Sequence, residues 1–124
     1  MMVKDILVVD DDKDILFTFK QLLNHQNRVV FTAQSGKECL KRLNQGFEGI
    51  VLIDIMMPEM DGWDTIHEIV QQGLQEKIDI IVITARGSHN HEKIHGLEPY
   101  IFDYIPKPFD IDTINNLLER LQEL

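Results

Sequence analysis

A single cysteine, Cys39, excludes an internal disulfide framework and any metal site built from cysteines, as in chains from a reducing compartment. It falls among the apolar positions of a helical pattern and reads as core. No apolar run approaches the roughly 20 residues that cross a bilayer. The opening Met1-Met2-Val3-Lys4-Asp5 also lacks a signal-peptide pattern, because Asp5 breaks the early apolar stretch. The expected location is the cytoplasm, with no membrane partner. Basic residues are scarce: 12 Lys and Arg stand against 21 Asp and Glu, a formal net charge of -9. With no basic patch and no helix-turn-helix pattern, direct nucleic-acid binding is excluded as a function, and protein partners or cations are expected instead. Linkers, internal repeats and low-complexity stretches are missing too, so residues 1–124 are expected to form one domain.

What is present is the make-up of a globular domain, with 44% hydrophobic and 27% charged residues in 124. Short apolar, β-branched runs over 4–9, 28–32, 50–54, 79–84 and 101–105 predict five strands. Between them apolar residues recur at helical spacing. Ile15, Leu16, Phe19, Leu22 and Leu23 predict a helix over about 13–25, capped by Asp12. Ser35-Gly36-Lys37-Glu38 has the Ser-x-x-Glu capping pattern and launches a helix with Cys39, Leu40 and Leu43 inward. A third helix carries Trp63, Ile66, Ile69 and Val70, with Trp63 partly buried, and ends near Gly73. A weakly periodic stretch over 88–97 predicts a short fourth, and Ile111, Ile114, Leu117, Leu118 and Leu121 mark the last. Strands alternating with helices across short loops predict an α/β fold, a parallel sheet covered on both faces.

In a parallel sheet the carboxyl ends of all strands lie along one edge. Asp10 and Asp11 follow the first strand, Asp54 ends the third, Thr84 ends the fourth and Lys107 follows the fifth. An isolated strand-end Asp such as Asp54 usually caps a turn. Three acids, a hydroxyl and an ammonium at one edge reverse that reading. Carboxylates about 5 Å apart repel by on the order of 3 kcal/mol at an effective dielectric of about 20. The cluster therefore calls for a cation, and a hard oxygen-seeking ion, Mg²⁺, suits it best. Lys107 offsets part of the remaining charge.

The segments Val8-Val9-Asp10-Asp11, Asp54-Ile55-Met56-Met57-Pro58-Glu59-Met60-Asp61-Gly62, Ile83-Thr84-Ala85 and Tyr104-Ile105-Pro106-Lys107-Pro108-Phe109 span almost the whole chain. Together they resemble a response-regulator receiver domain of the chemotaxis-regulator type, the phosphoacceptor module of two-component signalling. The resemblance implies a flavodoxin-like, doubly wound (βα)5 fold with strand order 2-1-3-4-5. It implies that Asp54 accepts a phosphoryl group from a histidine kinase or phosphotransfer protein. Asp11, Asp54 and the main-chain carbonyl of Met56 would ligate Mg²⁺, with Asp10 acting through a metal-bound water. Lys107 and Thr84 would contact phosphoryl oxygens, and Ala85 would leave room for the group. As a switch, Thr84 would move, Tyr104 would turn inward, and the face of helix 4, strand 5 and helix 5 would change shape for a downstream protein, a fused effector or a homodimer. A phosphorelay module of this kind assists its own phosphorylation and dephosphorylation without being an enzyme.

Three features depart from the pattern or invite another reading. Tyr100-Ile101 replaces the small pair common before strand 5, so Tyr100 and Phe102 either form a partner patch or pack locally. His89, His91 and His95 could hold zinc, but exposed loop histidines are the plainer account. Met56 and Arg86 occupy positions that tune phosphoryl hydrolysis in this family, and neither orients water well, which implies a long-lived phosphoaspartate. The other class considered is a haloacid-dehalogenase-like Mg²⁺-dependent phosphatase, for which Asp10-x-Asp12 superficially fits. Asp14 stands where that motif needs Thr or Val, and Asp54 to Pro58 would go unexplained. An effector beyond residue 124 is left open.

Overall fold

The computed structural model describes residues 4–24, 28–84 and 91–122, without the side chains of His91, Glu92, Leu121 and Gln122. The readings made for Ala85, Arg86, His89 and the His91 and Leu121 side chains lie outside the described residues. The elements are β1 (Ile6–Val9), α1 (Lys13–Leu23), β2 (Val30–Ala33), α2 (Gly36–Asn44), β3 (Gly49–Asp54), α3 (Gly62–Gln71), β4 (Ile78–Thr84), α4 (His91–Ile94), β5 (Ile101–Pro106) and α5 (Ile111–Gln122). All strand pairs are parallel, in the order β2-β1-β3-β4-β5. The flavodoxin-like order expected from the resemblance is the one observed.

Strand alternation divides the core into two layers. Ile6, Val8, Ile50, Leu52, Ile81 and Ile83 face Leu16, Phe19 and Leu23 of α1 and Ile114, Leu117 and Leu118 of α5. Leu7, Val9, Val51, Ile53, Ile80 and Val82 face Cys39 and Leu43 of α2, Trp63, Ile66 and Ile69 of α3, and Leu97 after α4. Central strands buried on both faces must be apolar at every position, which is why they read as continuous hydrophobic runs.

Several local expectations are refined. Asp12 caps α1, accepting the Asp14 N–H at 2.9 Å. Ser35 caps α2, accepting the Glu38 N–H at 3.2 Å, while the Glu38 carboxylate turns back to the N–H of Gln34 rather than of Ser35. β2 starts at Val30, later than expected. Arg28 is instead buried, its guanidinium donating to the carbonyls of Lys4 at 3.0 Å and Leu23 at 3.5 Å and closing the end of α1. Trp63 is fully buried rather than partly so. Of the 88–97 stretch, residues 88–90 lie outside the described residues, and α4 is described over His91–Ile94, ending before Gly96. At Gly49, with φ 141°, an added Cβ would collide with the Asp5 carbonyl, so only glycine lets the chain enter β3 there.

Beside the Tyr100-Ile101 departure, β5 shifts register between the partners Ile80 and Ile81. Ile101 packs on the second layer, whereas Phe102 and Ile105 both belong to the first, so the usual alternation is broken between them. Phe102 packs locally, under the guanidinium of Arg120, whose carbon lies 5.9 Å from its ring centre. Tyr100 is exposed.

Phe17 and Phe19, two residues apart on α1, offer a direct test of this layering, because one is 65% exposed and the other 1%. Phe19→Ala is expected to cost about 3–5 kcal/mol and Phe17→Ala under about 0.5 kcal/mol in urea denaturation. Equal losses would contradict the assignment.

Candidate functional site

The carboxyl edge of the sheet is assembled by backbone bonds before any side chain is considered. The Asp10 N–H donates to the Ala33 carbonyl at 3.1 Å, fixing the residue that leaves β1. Asp54 is the last residue of β3 and lies opposite Ile83, one step before Thr84. The Lys107 N–H donates to the Thr84 carbonyl at 2.7 Å, so the lysine is aimed from the end of β4. From there its Nζ reaches 2.8 Å from Asp54 Oδ2 and 3.6 Å from Asp10 Oδ2. Asp54 is 3% exposed and Asp10 is 1% exposed, so both carboxylates are buried.

The remaining oxygens are only partly satisfied. Asp54 Oδ1 accepts the Met56 N–H at 3.0 Å, and Asp10 Oδ1 accepts the Asp12 N–H at 2.9 Å. Asp10 Oδ2 is buried with no hydrogen-bond partner. Asp10, Asp11 and Asp54 each offer a carboxylate oxygen within 4.8 Å of the others, Asp11 from an exposed position. An all-oxygen donor set, one oxygen of which has no hydrogen bond, is the set a hard divalent cation takes.

The loop after β3 is pinned as tightly as the strand ends. The Gly62 N–H donates to the Ile55 carbonyl at 2.9 Å, and a Cβ at Gly62 would stand 2.6 Å from the Asp54 carbonyl oxygen. Only glycine allows α3 to start this close to Asp54. Its cap is a feature not read from the sequence: Asp61 accepts the Asp64 N–H at 2.8 Å and Asp64 accepts the Asp61 N–H at 3.3 Å. Asp61-Gly62-Trp63-Asp64 signals it, as a capping box with Asp in place of Glu.

The profile of the response regulator receiver domain family matches residues 6–119. This chain belongs to that family. The receiver domain is 39% identical to a CheY-like response regulator receiver domain from Methanospirillum hungatei, with a TM-score of 0.88 over 94% of this chain and 92% of that one. It is 36% identical to the N-terminal domain of a response regulator receiver protein from Methanoculleus marisnigri, with a TM-score of 0.74 over 98% and 96%. It is 35% identical over 122 residues to the response regulator SaeR of Staphylococcus aureus, covering 95% of this chain and 52% of SaeR. The chain thus spans about half the length of this curated relative. It is a receiver domain of two-component signalling.

Of the residues singled out in the sequence, the receiver fold brings Asp10, Asp11, Asp54 and Lys107 together, with Thr84 at the adjoining strand end. The Met56 backbone joins them through its N–H, while its side chain is exposed. Tyr104 stands apart, exposed on the edge strand. Val82 is opposite Tyr104 and two residues before Thr84, so Tyr104 and Thr84 share one face of the sheet. Asp12, the residue that suggested a phosphatase motif, is used as a helix cap. Among the described residues the metal-capable group is Asp10, Asp11 and Asp54, and His95 is outside it.

Burial pushes the Asp10 carboxyl up to about 6; the Asp12 N–H opposes this and the charge of Asp54 adds to it. Burial also pulls the Lys107 ammonium down, but its hydrogen bond to Asp54 and the charges of Asp54 and Asp10 carry it above the usual lysine value. Because the folded value of Asp10 lies above the unfolded 3.8, its contribution to stability is full below that value and is lost as pH rises through about 6. Without divalent cation, Asp10→Asn is expected to exceed the original protein in stability by roughly 1–3 kcal/mol near pH 7.5 and to match it near pH 4. Urea denaturation across that range measures the gap, which Mg²⁺ should narrow. An original protein more stable than the variant near pH 7.5 would refute the account.

Proposed function

We propose that Asp54 is the phosphoacceptor and that this receiver domain takes its phosphoryl group from a histidine kinase or phosphotransfer protein. The observation that carries this is the Lys107 ammonium 2.8 Å from a buried Asp54 carboxylate and 3.6 Å from an Asp10 oxygen that has no hydrogen bond. A carboxylate oxygen of Asp54 forms the new bond to phosphorus, and the phosphorus–nitrogen bond to the donor imidazole breaks, its electron pair remaining on nitrogen. Lys107, held on the Thr84 carbonyl, stays in place to answer the charge that Asp54 gains as an acyl phosphate. The Thr84 hydroxyl, at the adjoining strand end, donates to a phosphoryl oxygen.

Receiver domains bind Mg²⁺ at an acidic pocket, and the residues here fit that ion. Asp11, Asp54 and the Met56 carbonyl would hold it directly, and Asp10 through water. When bound, it supplies neutralisation of phosphoryl charge. A metal-bound water would then give Asp10 Oδ2 the hydrogen bond it lacks. One chain carries one phosphoryl group, so the domain works as a signalling module rather than as a turnover catalyst.

The output side follows from Tyr104 and Thr84 sharing one sheet face. Movement of Thr84 towards the phosphoryl group opens space for Tyr104, which reshapes the α4, β5 and α5 surface read by a downstream protein, a fused effector or a second copy of the chain. SaeR is about twice the length of the matched region, which accords with a fused effector. Among the described residues no helix is long and apolar enough to cross a membrane, and we place the domain in the cytoplasm as a single unit over 1–124.

Acetyl phosphate with Mg²⁺ is expected to label the protein to one phosphoryl group per chain, with labelling abolished in Asp54→Asn and slowed by roughly 100-fold in Lys107→Met. Continuous turnover of small phosphoesters, or labelling that survives Asp54→Asn, would defeat the reading. The apolar Met56 side chain at the mouth of the site does not orient a hydrolytic water, so the label is expected to last minutes or longer. Decay within seconds would contradict it. Beryllofluoride with Mg²⁺ is expected to shift the NMR signals of Tyr104 and α5, and an unchanged spectrum there would reject the switch.

A further inference from the structure

Asp61 uses its two carboxylate oxygens for two different helices. Oδ1 accepts the Asp64 N–H and caps α3, while Oδ2 receives the Lys93 ammonium of α4 at 2.6 Å. Asp64 Oδ1 lies 3.5 Å from the same ammonium. One lysine therefore joins α4 to the start of α3, a residue away from Gly62, whose N–H is held beside Asp54. Lys93 engages further neighbours as well.

The described turn of α4, His91–Ile94, is positioned by what it touches. Its apolar contacts are Ile94 and, just beyond it, Leu97, both on the second core layer with Trp63 and Val82. Val82 is the register partner of Tyr104 and lies two residues before Thr84. The anchored helix thus covers the sheet face on which both switch residues stand.

Resting on the reading of Asp54 as phosphoacceptor, we propose that the contact of Lys93 with Asp61 and Asp64 is a latch that holds α4 in its resting position. Its strength sets how readily chemistry at Asp54 reshapes the output surface. A contact made in one of two arrangements weakens the binding of any ligand that selects the other by the same factor. Both side chains of the Lys93–Asp61 pair are part-exposed, so the factor is modest and falls with added salt. Lys93 is a positioning residue here, acting through Asp61 and the loop that Gly62 secures.

The test measures the affinity of the whole chain for beryllofluoride in the presence of Mg²⁺, by NMR. Lys93→Met is expected to bind about two- to fivefold more tightly than the original protein, with faster amide exchange in α4. Lys93→Arg should restore the original affinity, and added salt should narrow the gap between the original protein and Lys93→Met. Lys4→Met is the control: its pair with Asp79, 2.9 Å long and of similar exposure, lies at the opposite edge of the sheet and should leave affinity unchanged. Equal or weaker binding by Lys93→Met, with binding intact in the original protein, overturns the latch. Failure of the original protein to bind the mimic overturns the phosphoacceptor reading instead.

Discussion

Two carboxylates and one ammonium are held in a buried space at the sheet edge, and the rest of the architecture serves that arrangement. Asp10 and Asp54 would repel each other strongly if both were charged and unattended, and burial, with the charge of Asp54 adding to it, raises the Asp10 carboxyl to about 6 against the opposing Asp12 N–H and Lys107. Lys107 balances one charge, bonding Asp54 and lying farther from Asp10. The site is therefore short of positive charge as it stands. A cation would relieve that shortage, which water does little to relieve because the Asp10 and Asp54 carboxylates are buried.

Parallel strands bring these groups together without any motif being contiguous. Asp10, Asp54, Thr84 and Lys107 are dispersed through the chain, yet the register of β1, β3 and β4 brings their ends level. The apolar layers above and below hold that register, since a slip of one residue would move every side chain of a strand from one core layer to the other. Glycine at 62 and the paired aspartates at 61 and 64 then bring α3 close against the end of β3. The same Asp61 also meets α4, so the loop beside Asp54 and the α4 surface are joined through one side chain.

Much of this was legible in the sequence for a physical reason. The buried strands are continuous apolar runs, the helices have apolar stripes, and a polar residue ending each run has no place in a core. Asp54 stood out because hydrophobicity could not account for it, and the cap at Asp12 followed from local chemistry alone. Other features were not legible. Arg28 looked like the start of a strand, yet its partners are carbonyls at residues 4 and 23. Trp63 read as partly buried, whereas the packing of α3 on the second core layer encloses it.

The sequence by itself determined the order of strands and helices, the two-sided burial of the sheet and the set of residues able to do chemistry, because these depend on periodicity and side-chain type. Only the tertiary structure decided which oxygen of Asp54 meets Lys107, how near that ammonium comes to Asp10, that Phe102 lies under Arg120 beside a shift in β5, and that Lys93 reaches Asp61. Each is a contact between residues far apart in the chain. Such contacts depend on register and packing distance, and no local pattern of residues encodes either.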